Sequence, residues 1–232
     1  MSAKDIYSKL LSFYNNVGNK REDHFVLNFL STLNDKGKTY IEIGAGLGRF
    51  LKLVKEKYHF DISAVEINNV LADSIEQIGI ETYNINFLDN KFPDNHFDII
   101  HCSHVIEHIP YPEIVSFLDE LSRITKPNGF VIIRSPLLSA EFFTSIDHIR
   151  PYPPKAILDY FSNPQQQKTS NYSISLVKNK LRRAPYQIAP YSYSSFFRGV
   201  NLLFKLSWSI CKFPFSAPDG YTAIFQKNIN HV

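Results

Sequence analysis

Four groups of residues have the types and spacing to do chemistry. The first is YIEIGAGLGRF (40–50), in which Glu42 stands two positions ahead of Gly44, and glycine then recurs at 46 and 48. Glycine lets a chain turn with positive φ and lets a ligand lie against bare backbone. The second is Glu66, which ends the apolar run DISAVEI 18 residues after Gly48. The third is Asn86 with Phe87 in YNINFLD. The fourth is His104, Glu107 and His108 in HCSHVIEHIP, joined later by His148 beside Asp147 in IDHIRPYPP. Carboxylates beside a glycine turn suit a nucleoside ligand. Histidines paired with acids suit proton transfer, since imidazole titrates near working pH.

Two ligand classes use a glycine turn at a strand exit. The dinucleotide fingerprint is G-x-G-x-x-G, but here Arg49 occupies the third glycine position. A bulky Arg-Phe pair where pyrophosphate would rest argues against NAD. S-adenosylmethionine has no pyrophosphate, and its ammonium and sulfonium charges are offset by a carboxylate such as Glu42. Glu66 at a strand tip accepts the ribose hydroxyls, Asn86 pairs with the adenine edge and Phe87 stacks on its face, with Asp89 as the competing partner.

The elements that must hold these groups follow from periodicity. Apolar spacing predicts two short N-terminal helices, at 4–14 and 21–33. Strands are expected at 39–43, 61–66, 80–85, 97–102 and 129–134, and helices at 47–57, 68–77 and 111–125, with KPNG (126–129) ending the last. Strict alternation of strand and helix means parallel strands with right-handed crossovers. Further on, KAILDYF (155–161) and 194–213 read as helices, and YSISLVK (172–178) as a strand. GYTAIFQK (220–227) reads as a final antiparallel strand at the sheet's edge. In such a sheet ligands gather at the carboxyl ends of the strands, where all four groups fall.

Composition bounds the partners. The chain has 232 residues, 44% hydrophobic and 14% aromatic, enough for one large domain. A net charge of +3, with short basic blocks such as KNKLRR (178–183), does not argue for nucleic acid. Two cysteines form neither a disulfide framework nor a zinc spacing. The N-terminus lacks the apolar core of a signal peptide, and no stretch of 18 apolar residues occurs, so a cytoplasmic protein is expected.

The ordered set EIGAGLG, VEI, FPDNHFDIIHCSHVIEHI and LSRITKPNGFVII resembles the class I SAM-dependent methyltransferases over residues 40–135. The resemblance implies an α/β Rossmann-like fold. Its sheet has seven mostly parallel strands with the last antiparallel, and helices on both faces. It also implies cap helices over 1–35 and a methyltransferase domain over 36–232. S-adenosylmethionine is the implied cofactor, with Glu42, Gly44, Gly46 and Gly48 on its methionine and ribose side, Glu66 on the ribose and Asn86 with Phe87 on the adenine. Ser103 and His104 would flank the methyl group. Asn86 departs from the commoner Asp.

Three roles remain open for His104, Glu107, His108 and His148: bracing the loop, general-base catalysis by His108 or His148 with Asp147 or Glu107 orienting it, or holding a divalent metal. The segment is similar to the Glu-x-x-Glu-His run, with a later histidine, by which a small-RNA 2′-O-methyltransferase family holds such an ion, but His104 replaces the first Glu, which disfavours a hard, oxygen-preferring ion. The assignment is His108 and His148 as catalytic, with no metal. Acceptor-binding elements are expected in 136–218. IDHIRPYPPKAILDYF (146–161) is similar to a segment of methyltransferases from bacterial surface-polysaccharide clusters. That implies a sugar hydroxyl on an O-antigen, a capsule or a precursor, with Arg150 holding an anionic group and Tyr152, Tyr191 and Tyr193 available to stack on sugars. Rival readings are a quinone or small-metabolite methyltransferase and a SAM-binding partner without turnover. Residues 194–213 could also make weak contact with a membrane surface.

Overall fold

The computed structural model describes residues 3–163, 165, 169–190, 193–213 and 215–229. In chain order its strands are β1 (Thr39–Ile43), β2 (Asp61–Val65), β3 (Glu81–Tyr83), β4 (Phe97–Ser103), β5 (Thr125–Pro136), β6 (Ile174–Pro185) and β7 (Ser216–Lys227). Its helices are α1 (Ala3–Leu30), α2 (Arg49–Lys57), α3 (Asn69–Glu76), α4 (Glu113–Ile124), α5 (Pro154–Ser162) and α6 (Ser195–Cys211). The strands form one sheet in the order β3-β2-β1-β4-β5-β7-β6. β1 pairs in parallel with β2 and β4, and β5 pairs with β4 in parallel and with β7 antiparallel. The expected Rossmann-like architecture is present.

Alternation along the central strands sorts the core. Ile41, Ile43, Ile100, Cys102, Val131 and Ile133 point to one face, under Phe117 and Leu121 of α4 and Ile157 and Phe161 of α5. Tyr40, Ala64, Ile99, Ile132 and Ile224 point to the other, under Val26, Phe29 and Leu30 of α1, Leu51 and Val54 of α2, and Ile75 of α3. Burying an aliphatic or aromatic side chain of this size is worth about 1.5–3 kcal/mol, so both faces hold their helices firmly.

Two expectations are corrected. The N-terminal segment is one helix, Ala3–Leu30, rather than two short ones. The polar stretch around Gly18 reads as a break, but a helical glycine costs only about 1 kcal/mol, and the apolar residues at the carboxyl end of α1 outweigh that. The final strand is also not at the edge: β7 lies between β5 and β6. β6 takes the edge and runs on through KNKLRR, pairing Lys178 to Pro185 with β7. Its mostly exposed, charged side chains suit a strand with one open side. Among the described residues no helix is long and apolar enough to cross a membrane.

Candidate active site

The carboxyl ends of β1, β2 and β4 deliver the glycine turn, Glu66 and the histidine segment to one edge. Gly44, Gly46 and Gly48 all have positive φ, at 69, 57 and 67°. At Gly44 an added Cβ would collide with a methyl of Val105 in the segment after β4, so the turn and that segment need glycine to approach. At Gly46 the space over the Cα is open, a surface against which a ligand can lie. α2 starts at Arg49 with no side-chain cap, so its first N–H groups also face this edge.

Glu66 is buried, and its two oxygens accept from the backbone N–H groups of Gly46 (2.8 Å) and Asn68 (3.0 Å). Each oxygen keeps a second lone pair for a ligand hydroxyl. Asn84 donates to the Glu66 carbonyl at 2.7 Å and fixes the strand tip. Asn86 is exposed, with Oδ1 accepting from Leu88 N–H at 3.0 Å. Its amide N–H groups remain for a ligand acceptor.

Phe87 is not at this surface. It sits on a short 3-10 turn that points it inward, buried edge-to-face against Phe117 at 4.9 Å. The stacking role read for Phe87 is therefore withdrawn, because its ring is part of the core. Exposed apolar side chains beside the site include Ile67, next to Glu66, Leu88, next to Phe87, and Leu47 within the glycine turn. A large apolar residue left in the open directly after Glu66 was the available signal.

Beneath the turn lies a buried charged layer on the α1–α2 side of the sheet. Glu42 pairs in register with His101, and the two side chains approach to 3.4 Å. Glu42 Oε2 and both His101 ring nitrogens have no hydrogen-bond partner among the described residues. Arg134 of β5 lies two positions beyond Ile132, the register partner of His101. Its Nη1 donates to Asp23 of α1 at 3.1 Å, while Nε and Nη2 are buried and unpartnered. Asp23 also receives both Arg49 amino groups. Burial raises the Asp23 carboxyl, but the Arg49 hydrogen bonds and the Arg134 charge prevail, and it ends below its ordinary value. A buried free carboxylate oxygen and buried free guanidinium N–H groups on one face match an amino acid zwitterion. The methionyl end of S-adenosylmethionine is one, so the residues present fit that cofactor. Sequence reasoning missed His101, Arg134 and Asp23. Asp23 was visible as a charge within the apolar face of a helix, and Arg134 as the charged end of FVIIR.

The histidine segment follows. Ser103 ends β4, half-buried. His104 takes a left-handed φ of 57°, and its Nδ1 lies 3.1 Å from Glu107 Oε1. Glu107 is fully buried and also accepts from Ser135 Oγ at 3.1 Å. Its carboxyl is raised by burial but lowered more by His104 and Ser135, and stands below the usual range. The Glu107 carbonyl accepts from Ile149 and Arg150 N–H, which brings the loop carrying His148 onto this turn. His108 and His148 meet with ring centroids 5.0 Å apart. The structure thus brings together His108, His148 and Glu107.

A cavity of about 810 Å³ opens beside His104 and His148. Its wall includes Tyr7 of α1, Ser139–Ser145, Gln187, Tyr193, and Arg198, Asn201 and Lys205 of α6. Among the tyrosines read as sugar platforms, Tyr193 lines this cavity and is nearly fully exposed. Tyr152 does not serve: it is buried and donates to the Ile109 carbonyl at 2.8 Å. Tyr191 lies outside the described residues. Arg150 is exposed over the Tyr152 ring, 5.7 Å from its centroid.

The fold, the glycine turn and the acid at the second strand's tip define a class I methyltransferase. The methyltransferase-domain family matches residues 21–187, and the chain belongs to that family. Its cofactor is S-adenosylmethionine. A SAM-dependent methyltransferase from Archaeoglobus fulgidus superposes with a TM-score of 0.58, at 21% identity over 90% of this chain and 94% of the other. The YcgJ protein of Bacillus subtilis superposes at 0.61, with 14% identity over 90% and 98%. At these identities the likeness is one of fold. In sequence, phosphoethanolamine N-methyltransferase 1 of Triticum aestivum is 30% identical over 107 residues, covering 42% of this chain. An uncharacterized protein of Methanocaldococcus jannaschii is 30% identical over 116 residues, covering 47%. The matches span only 21% and 48% of those two relatives' own lengths.

Proposed function

We propose that this methyltransferase acts on a hydroxyl of a sugar, on a surface glycan such as an O-antigen or capsule, or on its precursor. The observation that carries this reading is the cavity beside His104 and His148. Its wall mixes Tyr7 and Tyr193 with amide, hydroxyl, carboxylate and cationic groups, the blend that recognises a polyhydroxylated, partly anionic acceptor rather than a flat apolar one. When bound, S-adenosylmethionine supplies a methyl group on a sulfonium.

The chain's own residues hold and align. Glu42 Oε2 takes the ammonium, and the free Arg134 N–H groups take the carboxylate. The remaining lone pairs of Glu66 take the ribose hydroxyls. The Asn86 amide would read the adenine edge, and the exposed Ile67 and Leu88 would offer it apolar surface. Alignment for in-line displacement supplies up to roughly 7–11 kcal/mol in ideal cases. His108 and His148 assist loss of the acceptor's proton.

A second reading, a lipid-linked acceptor met at a membrane surface, is favoured by one feature. Phe196, Leu203 and Ile210 are exposed at two-turn intervals along the outer side of α6. The discriminating experiment is transfer of labelled methyl from S-adenosylmethionine into a fractionated extract of the source cell. Label in nucleotide-sugar or polysaccharide supports the first reading, and label in lipid supports the second. No label, with cofactor binding verified by calorimetry, would point to a partner protein without turnover.

A further inference from the structure

We propose that Glu107, His108 and His148 form a binding site for a divalent first-row transition ion at the rim of the acceptor cavity. The inference rests on the reading of His108 and His148 as the groups that activate the acceptor, and it says by what means. One ligating atom from each of the three residues lies within 4.8 Å of the other two. Metal–ligand bonds of about 2.0–2.2 Å to nitrogen and oxygen place neighbouring ligand atoms about 3.0–3.6 Å apart, so side-chain shifts of about an ångström close the set.

Hydrogen bonding around the histidines independently prepares them as ligands. His108 Nδ1 lies 3.0 Å from the Asp147 carbonyl oxygen, and His148 Nδ1 lies 2.8 Å from the Phe142 carbonyl oxygen. A carbonyl oxygen only accepts, so each Nδ1 carries the proton and each neutral ring keeps its lone pair on Nε2. Metal-bound histidines are held in this way, with the second nitrogen donating to a carbonyl or carboxylate. Glu107 is fixed from behind by Ser135 Oγ and His104 Nδ1. With each Nδ1 proton turned to a carbonyl, each ring offers an Nε2 lone pair beside the Glu107 carboxylate, an arrangement that a cation stabilises.

The donor set decides the ion. Two imidazoles and one carboxylate suit zinc, cobalt, iron or manganese better than magnesium or calcium, which prefer oxygen ligands. Three protein ligands also leave positions open. His148 lines the cavity, so an acceptor hydroxyl can take one of them.

The test uses the full chain with any purification tag removed and its metals stripped. Cobalt(II) is titrated while its visible absorption is followed, and S-adenosylmethionine affinity is measured separately by calorimetry. One saturable cobalt site is expected, weakened roughly 100-fold in both His108→Ala and His148→Ala, unaffected by millimolar magnesium, and accompanied by unchanged cofactor affinity in both variants. Absence of a saturable site in the wild-type chain, or a site that survives both substitutions, would overturn the proposal. Cofactor binding without cobalt binding sinks the metal site and leaves the methyltransferase reading intact. Cobalt binding without methyl transfer to any acceptor leaves the site standing and sinks the acceptor reading.

Discussion

Glu66 combines two tasks that a single substitution separates from the rest of the fold. It holds the backbone of Gly46 and Asn68, and in the proposed cofactor pose its remaining lone pairs take the ribose. Glu66→Ala is expected to weaken S-adenosylmethionine at least tenfold by calorimetry, the loss of about 1.4 kcal/mol or more. Unchanged affinity would remove Glu66 from the cofactor site. Gly44 gives a second test. Gly44→Ala forces an L side chain to a φ of 69° and drives its Cβ into Val105. A loss of about 1–3 kcal/mol is expected in denaturant unfolding. Adding Val105→Ala should recover part of it, because the collision is relieved and the backbone cost is not. Glu42, Glu66 and the glycines were legible because each breaks an apolar run at a strand exit. Phe87 misled because an apolar residue beside a loop reads as a ligand platform, whereas the 3-10 turn rotates it into the core. Arg134 and His101 were hidden because their role depends on register between strands that are neighbours only in space.

α1 is the element whose reading changed most, and it supports two predictions. Gly18 lies in the middle of the helix with open space where a Cβ would go. Gly18→Ala should therefore raise stability by up to about 1 kcal/mol, seen as a higher melting temperature. A loss would mean that the helix is interrupted there, as the sequence pattern alone suggests. Further along, Asp23 ties α1 to Arg134 of β5 and Arg49 of α2. Asp23→Ala leaves Arg134 buried and unpaired, at a cost of about 3–5 kcal/mol. Because the folded Asp23 value is depressed below its ordinary 3.8, its contribution is complete above about pH 5 and is lost as the pH falls through the folded value. The melting-temperature gap between wild type and Asp23→Asn should be full at pH 6 and close toward pH 3. A gap independent of pH would show that the ion pair is not what holds the helix.

Across the whole molecule, the alternation of strand and helix between residues 39 and 136 was readable because each element carries its own period. The arrangement beyond 136 was not, since insertion of β7 between β5 and β6 is a matter of which edge is free rather than of local pattern. That late region builds one wall of the cavity beside His104 and His148 and also leaves an apolar outer surface on α6. Phe196, Leu203 and Ile210 lie two turns apart, and Phe213 and Phe215 follow, all exposed. The adjacent cations have partners inside the molecule: Arg198 lies over Tyr7, Lys205 pairs with Glu141, and Lys212 lies over Trp208. Attraction to a membrane would therefore come mostly from apolar area and only weakly from charge. If this surface docks on lipid, the chain should sediment with vesicles of phosphatidylethanolamine and phosphatidylglycerol, with little change between 50 and roughly 300 mM salt, since screening acts on charge and not on apolar burial. The double variant Leu203→Asp/Ile210→Asp should abolish sedimentation while its S-adenosylmethionine affinity stays the same. No sedimentation of the wild-type chain at any salt concentration would retire the membrane-surface reading and leave the cavity beside His104 and His148 as the guide to the acceptor.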